Sequence, residues 1–416
     1  MRKLSPEAQR RFAVEVVGRL RQAGFQAYWA GGCVRDHLLG RTPKDYDVAT
    51  DARPDQIRAI FGPRRTIAVG AAFGVITVIG PRQAGQVEVA TFREDASYSD
   101  GRHPDHVTFS IPAHDAARRD FTINGLFFDP IEDRVIDYVG GREDLAKGVI
   151  RAIGDPYQRF EEDKLRLLRA VRFAATFDFH LQAQTFEAVC RMAPGIVTVS
   201  PERIAAEMER MLVDQHRRRA VELLVDTGLA AAILPEIVPH SPAQDTRLSD
   251  TLAILHHLRE PGFPLALAAL VHLPVDAAGA GEVCRRWRLS NRQTDRVTWL
   301  VENHAVLAGA RAMQWSRLQP LVIADGFHDL VALEEAAALA ASRDSSHVAW
   351  CRLLFEQPRE VLDPPPLATG SDLIGHGIPP GPEYRILLER IREAQLDGEI
   401  HTKTEALELA DRLRGR

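Results

Sequence analysis

Apolar positions in the first ninety residues follow two different periods. Residues 7–22 repeat at helical spacing, and QAYWA (26–30) then runs into Gly31-Gly32. The pattern predicts a helix, a strand and a glycine turn, with a second helix at 33–39. DYDVA (45–49), GVITVIG (74–80) and QVEVATF (86–92) alternate as strands do, and ARPDQIRAIF (52–61) predicts a short helix with Pro near its start. Beyond about residue 155 the strand period fades. FEEDKLRLLRAVRFAATF (160–177), PERIAAEMERMLV (201–213) and EYRILLERIREAQ (383–395) are helical in period and composition. The pattern therefore predicts an α+β chain, an α/β domain of about 140 residues followed by an all-helical remainder. DPPPLATGSD (363–372) reads as a linker before a last helical piece, and no internal repeat or low-complexity tract occurs.

Composition narrows the class. At 416 residues the chain predicts roughly two to four domains. Its 45% hydrophobic and 26% charged content is that of a soluble globular protein. Cys33, Cys190, Cys284 and Cys351 lie far apart without a CxxC pair, which suits a reduced, cytoplasmic protein. The N-terminal stretch MRKLSPEAQRRFAVEVVGRL is charged throughout and lacks the apolar core of a secretion signal. The most apolar run, PLALAALVHLPV (264–275), is too short for a bilayer, so no membrane partner is expected. A net charge of −5 gives no global basic field for nucleic acid. Arg64-Arg65, Arg217-Arg218-Arg219 and Arg285-Arg286-Trp287-Arg288 are local basic clusters, though most such clusters are solvated surface. The sequence sets no oligomeric state.

The candidate chemistry begins in GGCVRDHLLGRTPKDYDVAT (31–50). On a strand, Asp45 and Asp47 project from one face. Two hard oxygen ligands side by side suit Mg²⁺, which takes phosphate oxygens and waters as its other ligands. Gly31 and Gly32 let backbone approach a polyphosphate near a helix start, and Arg35 adds positive charge. A lone DxD is usually an acidic surface strand; GGxxRD shortly upstream makes a nucleotide site the better reading. Farther on, RRDFTIN offers Arg119 as a fork for phosphate, with Asp120 and Asn124 as partners for a ribose hydroxyl. A salt-bridged loop is the alternative. Asp163, Arg166, Arg169 and Arg172 recur every three residues on one helical ridge. Asp163 can accept from an exocyclic amine and Arg166 can donate to a ring acceptor, a pair that admits C and A and rejects U and G. On spacing alone an ordinary ion-paired helix is the better reading.

These motifs in this order resemble the class II nucleotidyltransferases of the polymerase-beta superfamily. That group includes the tRNA CCA-adding, CC-adding and A-adding enzymes and bacterial poly(A) polymerases. The resemblance runs through GGCVRD, DYDVAT, ARRDFTINGLFFD (117–129), RFEEDKLRLLRAVRF (159–173), SPERIAAEM (200–208) and 367–400. It implies a polymerase-beta-like nucleotidyltransferase head (1–141), a neck carrying a base-reading helix (142–199), a helical body (200–330) and a tRNA-binding tail (331–416). It also reverses the reading of the 163–172 ridge, which becomes a protein template. Two metal ions on Asp45 and Asp47 would bind the triphosphate and activate the 3′-OH of an RNA primer, with in-line attack releasing diphosphate. Glu88 in QVEVATF is the candidate third carboxylate.

Within that group the expected activity is CCA addition to tRNA from CTP and ATP, with A addition the runner-up. Poly(A) polymerases carry a GRRFRL-like motif where this chain has VGAAFGVITV (69–78). FREDASYSDGRHPDHVTF (92–109) resembles an intact flexible loop of the CCA- and A-adding type, including Asp100, Gly101 and Arg102. Two other classes compete. TLAILHHL (251–258) and LAALVHLPVD (267–276) resemble the start of an HD phosphohydrolase, but His272-Leu273 replaces the His-Asp pair, so no hydrolase centre is expected. A non-catalytic RNA-binding scaffold would be expected to lose DxD first.

Overall fold

The computed structural model describes residues 4–95, 107–239 and 241–415. The expected loop residues Asp100, Gly101 and Arg102 lie outside them. The chain divides into two compact units, Met1–Pro235 and Glu236–Arg416.

In the first unit, helix α1 (Pro6–Gln22) starts at Ser5, whose hydroxyl accepts from the Ala8 N–H, and buries Phe12, Ala13, Val16, Val17 and Leu20. It packs on the strands that follow. These are β1 (Ala27–Ala30) and β2 (Asp47–Thr50), with helix α2 (Gly32–Leu38) between them and helix α3 (Pro54–Phe61) after. Next come β3 (Thr66–Ile67), β4 (Val75–Ile79) and β5 (Gln86–Thr91). A short antiparallel pair, β6 (Arg93–Asp95) and β7 (Val107–Phe109), stands apart from the main sheet. Helix α4 (Pro112–Ala117) leads to β8 (Phe127–Asp129) and β9 (Arg134–Ile136). The seven-stranded sheet has the order β3-β4-β5-β2-β1-β8-β9. Only β2 and β5 pair in parallel there, and their register sets Asp47 opposite Glu88. Trp29 fills the space beside β1, its ring 4.8 Å from Tyr46 and 5.5 Å from Phe128.

Two expectations shift. Strand β2 begins at Asp47, so Asp45 sits in the preceding bend and strand alternation does not place it. The helix expected over 160–177 is broken into α6 (Pro156–Glu162) and α7 (Leu165–Phe177), preceded by α5 (Gly141–Lys147). Asp163 at the break is extended (φ −150°, ψ 103°), and its Oδ1 accepts from the Leu165 N–H at 3.0 Å. It therefore caps α7 instead of continuing a ridge. Helices α8 (Ala183–Met192) and α9 (Pro201–Leu212) follow, and α9 packs on α7. The first unit ends at Pro235.

The second unit is helical in its described residues. Leu373, Ile378, Leu387, Ile391 and Ile400 anchor a small core near its end. The stretch expected as a linker is strapped to that core. Asp363 accepts from Arg392 at 2.7 Å, and the Pro364 and Pro365 carbonyls accept from Arg392 and Gln395. His256 and His257 close helix Pro242–His257 with rings 5.2 Å apart. His272 is buried elsewhere against His304, and burial, then the His304 charge, push its imidazole down to about 4.

Candidate active site

Gly31 turns the chain from β1 into α2 with φ +72°. A Cβ here would come within 2.7 Å of Arg119 Nη1, so both backbone angle and space call for glycine. The Gly31 N–H is not free for phosphate, since it donates to the Leu126 carbonyl at 3.0 Å. Gly31→Ala is expected to weaken nucleotide binding several-fold by displacing Arg119, read as a raised KM for the nucleotide. An unchanged KM would mean that Arg119 has no part in nucleotide binding.

A cavity of about 540 Å³ opens beside this turn. It is lined by Gly31, Gly32, Arg35, Asp47, Arg119, Asp120, Asn124, Asp163, Arg166 and Arg169, all expected site residues. Arg172 is absent from it; its guanidinium turns to the fully buried Glu207 of α9. A second cavity, about 610 Å³, shares Gly32, Arg35, Asp47 and Phe173 with the first and adds Asp45 and Arg172. Asp47 faces both. Seven arginines against three aspartates line the first cavity, so its field favours an anion.

Many of those arginines are already bonded to protein. Arg119 gives Nε and Nη2 to the buried Asp115 and Nη1 to the Asn124 carbonyl, which fixes the guanidinium and leaves one further N–H on each of Nη1 and Nη2. Burial alone would raise the Asp115 carboxyl, but Arg119 and Arg118 outweigh it and hold the group low. Arg35 spends Nε and Nη2 on Asp36 and Nη1 on Asn124 Oδ1, and lies over the rings of Phe173 and Phe177. Asp120 is filled as well. Its Oδ1 accepts from the Phe121 N–H and Asn124 Nδ2, and its Oδ2 from Arg169 Nε and Nη2. A carboxylate offers about four acceptor positions, and four donors occupy them. Burial opposes that charge, yet Arg169 and Asn124 hold Asp120 ionised far below the ordinary carboxylate range. Asp120 thus orders both Asn124 and Arg169.

Asp163 and Arg166 keep capacity to spare. Arg203 Nη2 bridges both Asp163 oxygens at 3.0 and 2.8 Å. Arg166 bonds the Arg159 carbonyl and Glu162 through Nη1 alone, which leaves Nε and Nη2 for a ligand. Sequence reasoning missed Arg203, Phe173, Arg118 and Arg93, which also line the cavity. Arg203 stands in SPERIAAEM, and an Asp ahead of an apolar helical run is itself a capping signal that foretells the break at Asp163.

The acidic corner is under electrostatic tension. Partial burial and then Glu88 and Asp45 push the Asp47 carboxyl up to about 6, against the pull of Arg119. Among the described residues no three His, Cys, Asp or Glu side chains close into a ready-made ion cage. Mg²⁺ does not need one, since it commonly uses one or two carboxylates and completes its shell with water and phosphate. Cys33, between Ala30 and Asp47, is driven up to about 12 by burial and the Asp47 charge, and so stays an inert thiol.

The chain is similar to known proteins along most of its length. Residues 27–151 match the profile described as poly A polymerase head domain, and 178–240 that of a probable RNA and SrmB-binding site of polymerase A. Relatives that match along most of the chain carry a different name. The CCA-adding enzyme of Lactobacillus helveticus is 31% identical over 411 residues, 95% of each chain. That of Bacillus pumilus is 36% identical over 282 residues, 67% of this chain and 68% of its own. The crystal structure of the Bacillus stearothermophilus CCA-adding enzyme in complex with CTP aligns at a TM-score of 0.79 and 30% identity, covering 99% of this chain and 98% of that one. With the sequence similarity reaching from the head sheet to the last helices, the chain belongs to the CCA-adding enzyme family.

Proposed function

We propose that this chain adds CCA to the 3′ end of tRNA from CTP and ATP, with no nucleic-acid template and with release of diphosphate. One observation carries the reading: a single electropositive cavity is lined both by Asp47 and by the Asp163–Arg166 pair. Asp45, Asp47 and Glu88 would hold Mg²⁺, and the mutual repulsion at Asp47 is what a dication would relieve. Bound there, the ion would supply charge for the triphosphate and favour ionisation of the primer hydroxyl.

The rest falls to side chains. Arg35, Arg118 and Arg119 would set the field around the phosphates, while Asp120 and Asn124 hold Arg169 and Arg35 in place. Asp163 Oδ2 would accept the exocyclic amine of C or A, and Arg166 would donate to the ring acceptor beside it. Arg203 would fix the plane of the Asp163 carboxylate. The same proposal includes the head (1–141), neck (142–199), body (200–330) and tail (331–416), with tRNA held by body and tail. A cytoplasmic setting suits four free cysteines. Among the described residues no helix is long and apolar enough to cross a membrane.

The test uses tRNAs ending before CCA, or after CC, with each of the four nucleotides supplied separately. Asp163→Ala is expected to lose about 1–3 kcal/mol of discrimination, about fivefold to over a hundredfold, in favour of UTP or GTP. Asp163→Asn, which keeps an acceptor for the α7 cap, is expected to shift selectivity the same way. Equal slowing of all four nucleotides would reduce Asp163 to a cap and overturn the template.

A further inference from the structure

Arg159, on α6, is not among the described residues that line the first cavity, yet all three nitrogens of its guanidinium are bonded around that cavity's edge. Nε donates to the Ile153 carbonyl at 3.2 Å and Nη2 to the Ala117 carbonyl at 2.8 Å. Nη1 reaches the Arg118 carbonyl at 3.1 Å and Glu162 Oε2 at 2.9 Å. Ala117 closes helix α4 and Arg118 caps it, so Arg159 grips the turn that carries Arg118 and Arg119 into the cavity wall. The same residue also holds Arg166. Its carbonyl accepts from Arg166 Nη1 at 2.8 Å, and that Nη1 donates to Glu162 Oε2, the oxygen that Arg159 Nη1 shares.

We propose that Arg159 is a positioning residue for nucleotide selection. It pins Glu162 so that Arg166 presents Nε and Nη2 to the base, and it ties this reader to the Arg118–Arg119 turn. The inference rests on the base-reading role of Arg166 in the proposed CCA addition. The shared oxygen is the reason for the assignment. Glu162 is 30% exposed and lies one helical turn before Arg166, within reach of its whole guanidinium. Released from Arg159, its carboxylate is free to close on Arg166 as a two-point pair. That pairing consumes a donor the base needs. In C and A the ring nitrogen on the Watson–Crick edge is an acceptor, whereas in U and G it carries a proton. A guanidinium held in one direction favours the first pair and opposes the second. One drawn aside by Glu162 does neither.

The test measures kcat/KM in the full chain for CTP against UTP on tRNA ending before CCA, and for ATP against GTP on tRNA ending after CC. Arg159→Ala is expected to lower both ratios about fivefold or more, the lower end for one bidentate base contact. Arg166→Ala should lower them too, and adding Arg159→Ala to it should take away nothing further, because the two residues act as one unit. Should Arg159→Ala fail to fold, Arg159→Lys decides. It keeps the charge but brings one nitrogen to four acceptors, so both ratios should still fall. Uniform slowing of all four nucleotides with the ratios intact would make Arg159 a brace for the fold and overturn the proposal. Losses that add in the double variant would overturn it as well. A parent chain with no preference for C and A would instead overturn the CCA reading, and this inference with it.

Discussion

Asp47→Ala is expected to cut incorporation of CTP and ATP together by at least about 10²–10³-fold, the scale of losing a preorganised charge at a reacting centre. Affinity for tRNA should hardly change. Asp47 opens β2 opposite Glu88 and faces both cavities, which is why the proposal makes it the central metal-holding carboxylate. The sign of its titration adds a second readout. Its folded carboxyl sits at about 6, above the ordinary value, so the fold prefers the acid form. At neutral pH the ionised group therefore destabilises the metal-free fold, through lost solvation and the nearby Glu88 and Asp45. The variant should be dead yet no less stable without metal, a difference read by urea denaturation. Loss of one nucleotide only, or a fold weakened along with activity, would contradict a shared metal corner.

Asp120→Ala should have its largest effect on stability, about 1–3 kcal/mol, because it leaves the 30% exposed Arg169 without its carboxylate and strands two buried donors. Arg169 would lose its carboxylate, and the Phe121 N–H and Asn124 Nδ2 would lose their acceptor. Asn124 in turn orients Arg35, so activity should fall for ribo- and deoxynucleotides alike. A shift in the urea midpoint measures the first effect, and dCTP against CTP the second. An unchanged midpoint with ribose preference lost would instead assign Asp120 the direct sugar contact that the sequence suggests.

Much of the head was legible because its signals are local. Alternation marks β4 and β5, and the spacing of Ala13, Val16, Val17 and Leu20 marks α1. The candidate residues were legible as types, and the first cavity gathers all the expected nucleotide contacts but Arg172. Their partners were not legible. Arg172 is drawn to Glu207 and Asp163 to Arg203, both on α9, and pairings between helices distant in sequence leave no periodic trace. The α6–α7 break was hidden because EEDKLRLL is made almost wholly of good helix formers, and a cap and a tertiary ion pair override propensity there. Asp45 was misplaced by an alternation that continues one turn of pleat beyond the paired backbone.

The register of the head sheet also bears on when the acidic corner can come into being. Asp47 meets Glu88 through a parallel pairing, and β1, between β2 and β8, sets Trp29 opposite Phe128. Such pairings close long loops before any contact rewards them, so they form late and slowly. A chain still emerging from the ribosome, with β8 not yet made, lacks the neighbour that completes β1. The head sheet therefore closes only once residues 127–129 have been added, well after both members of the acidic pair are made.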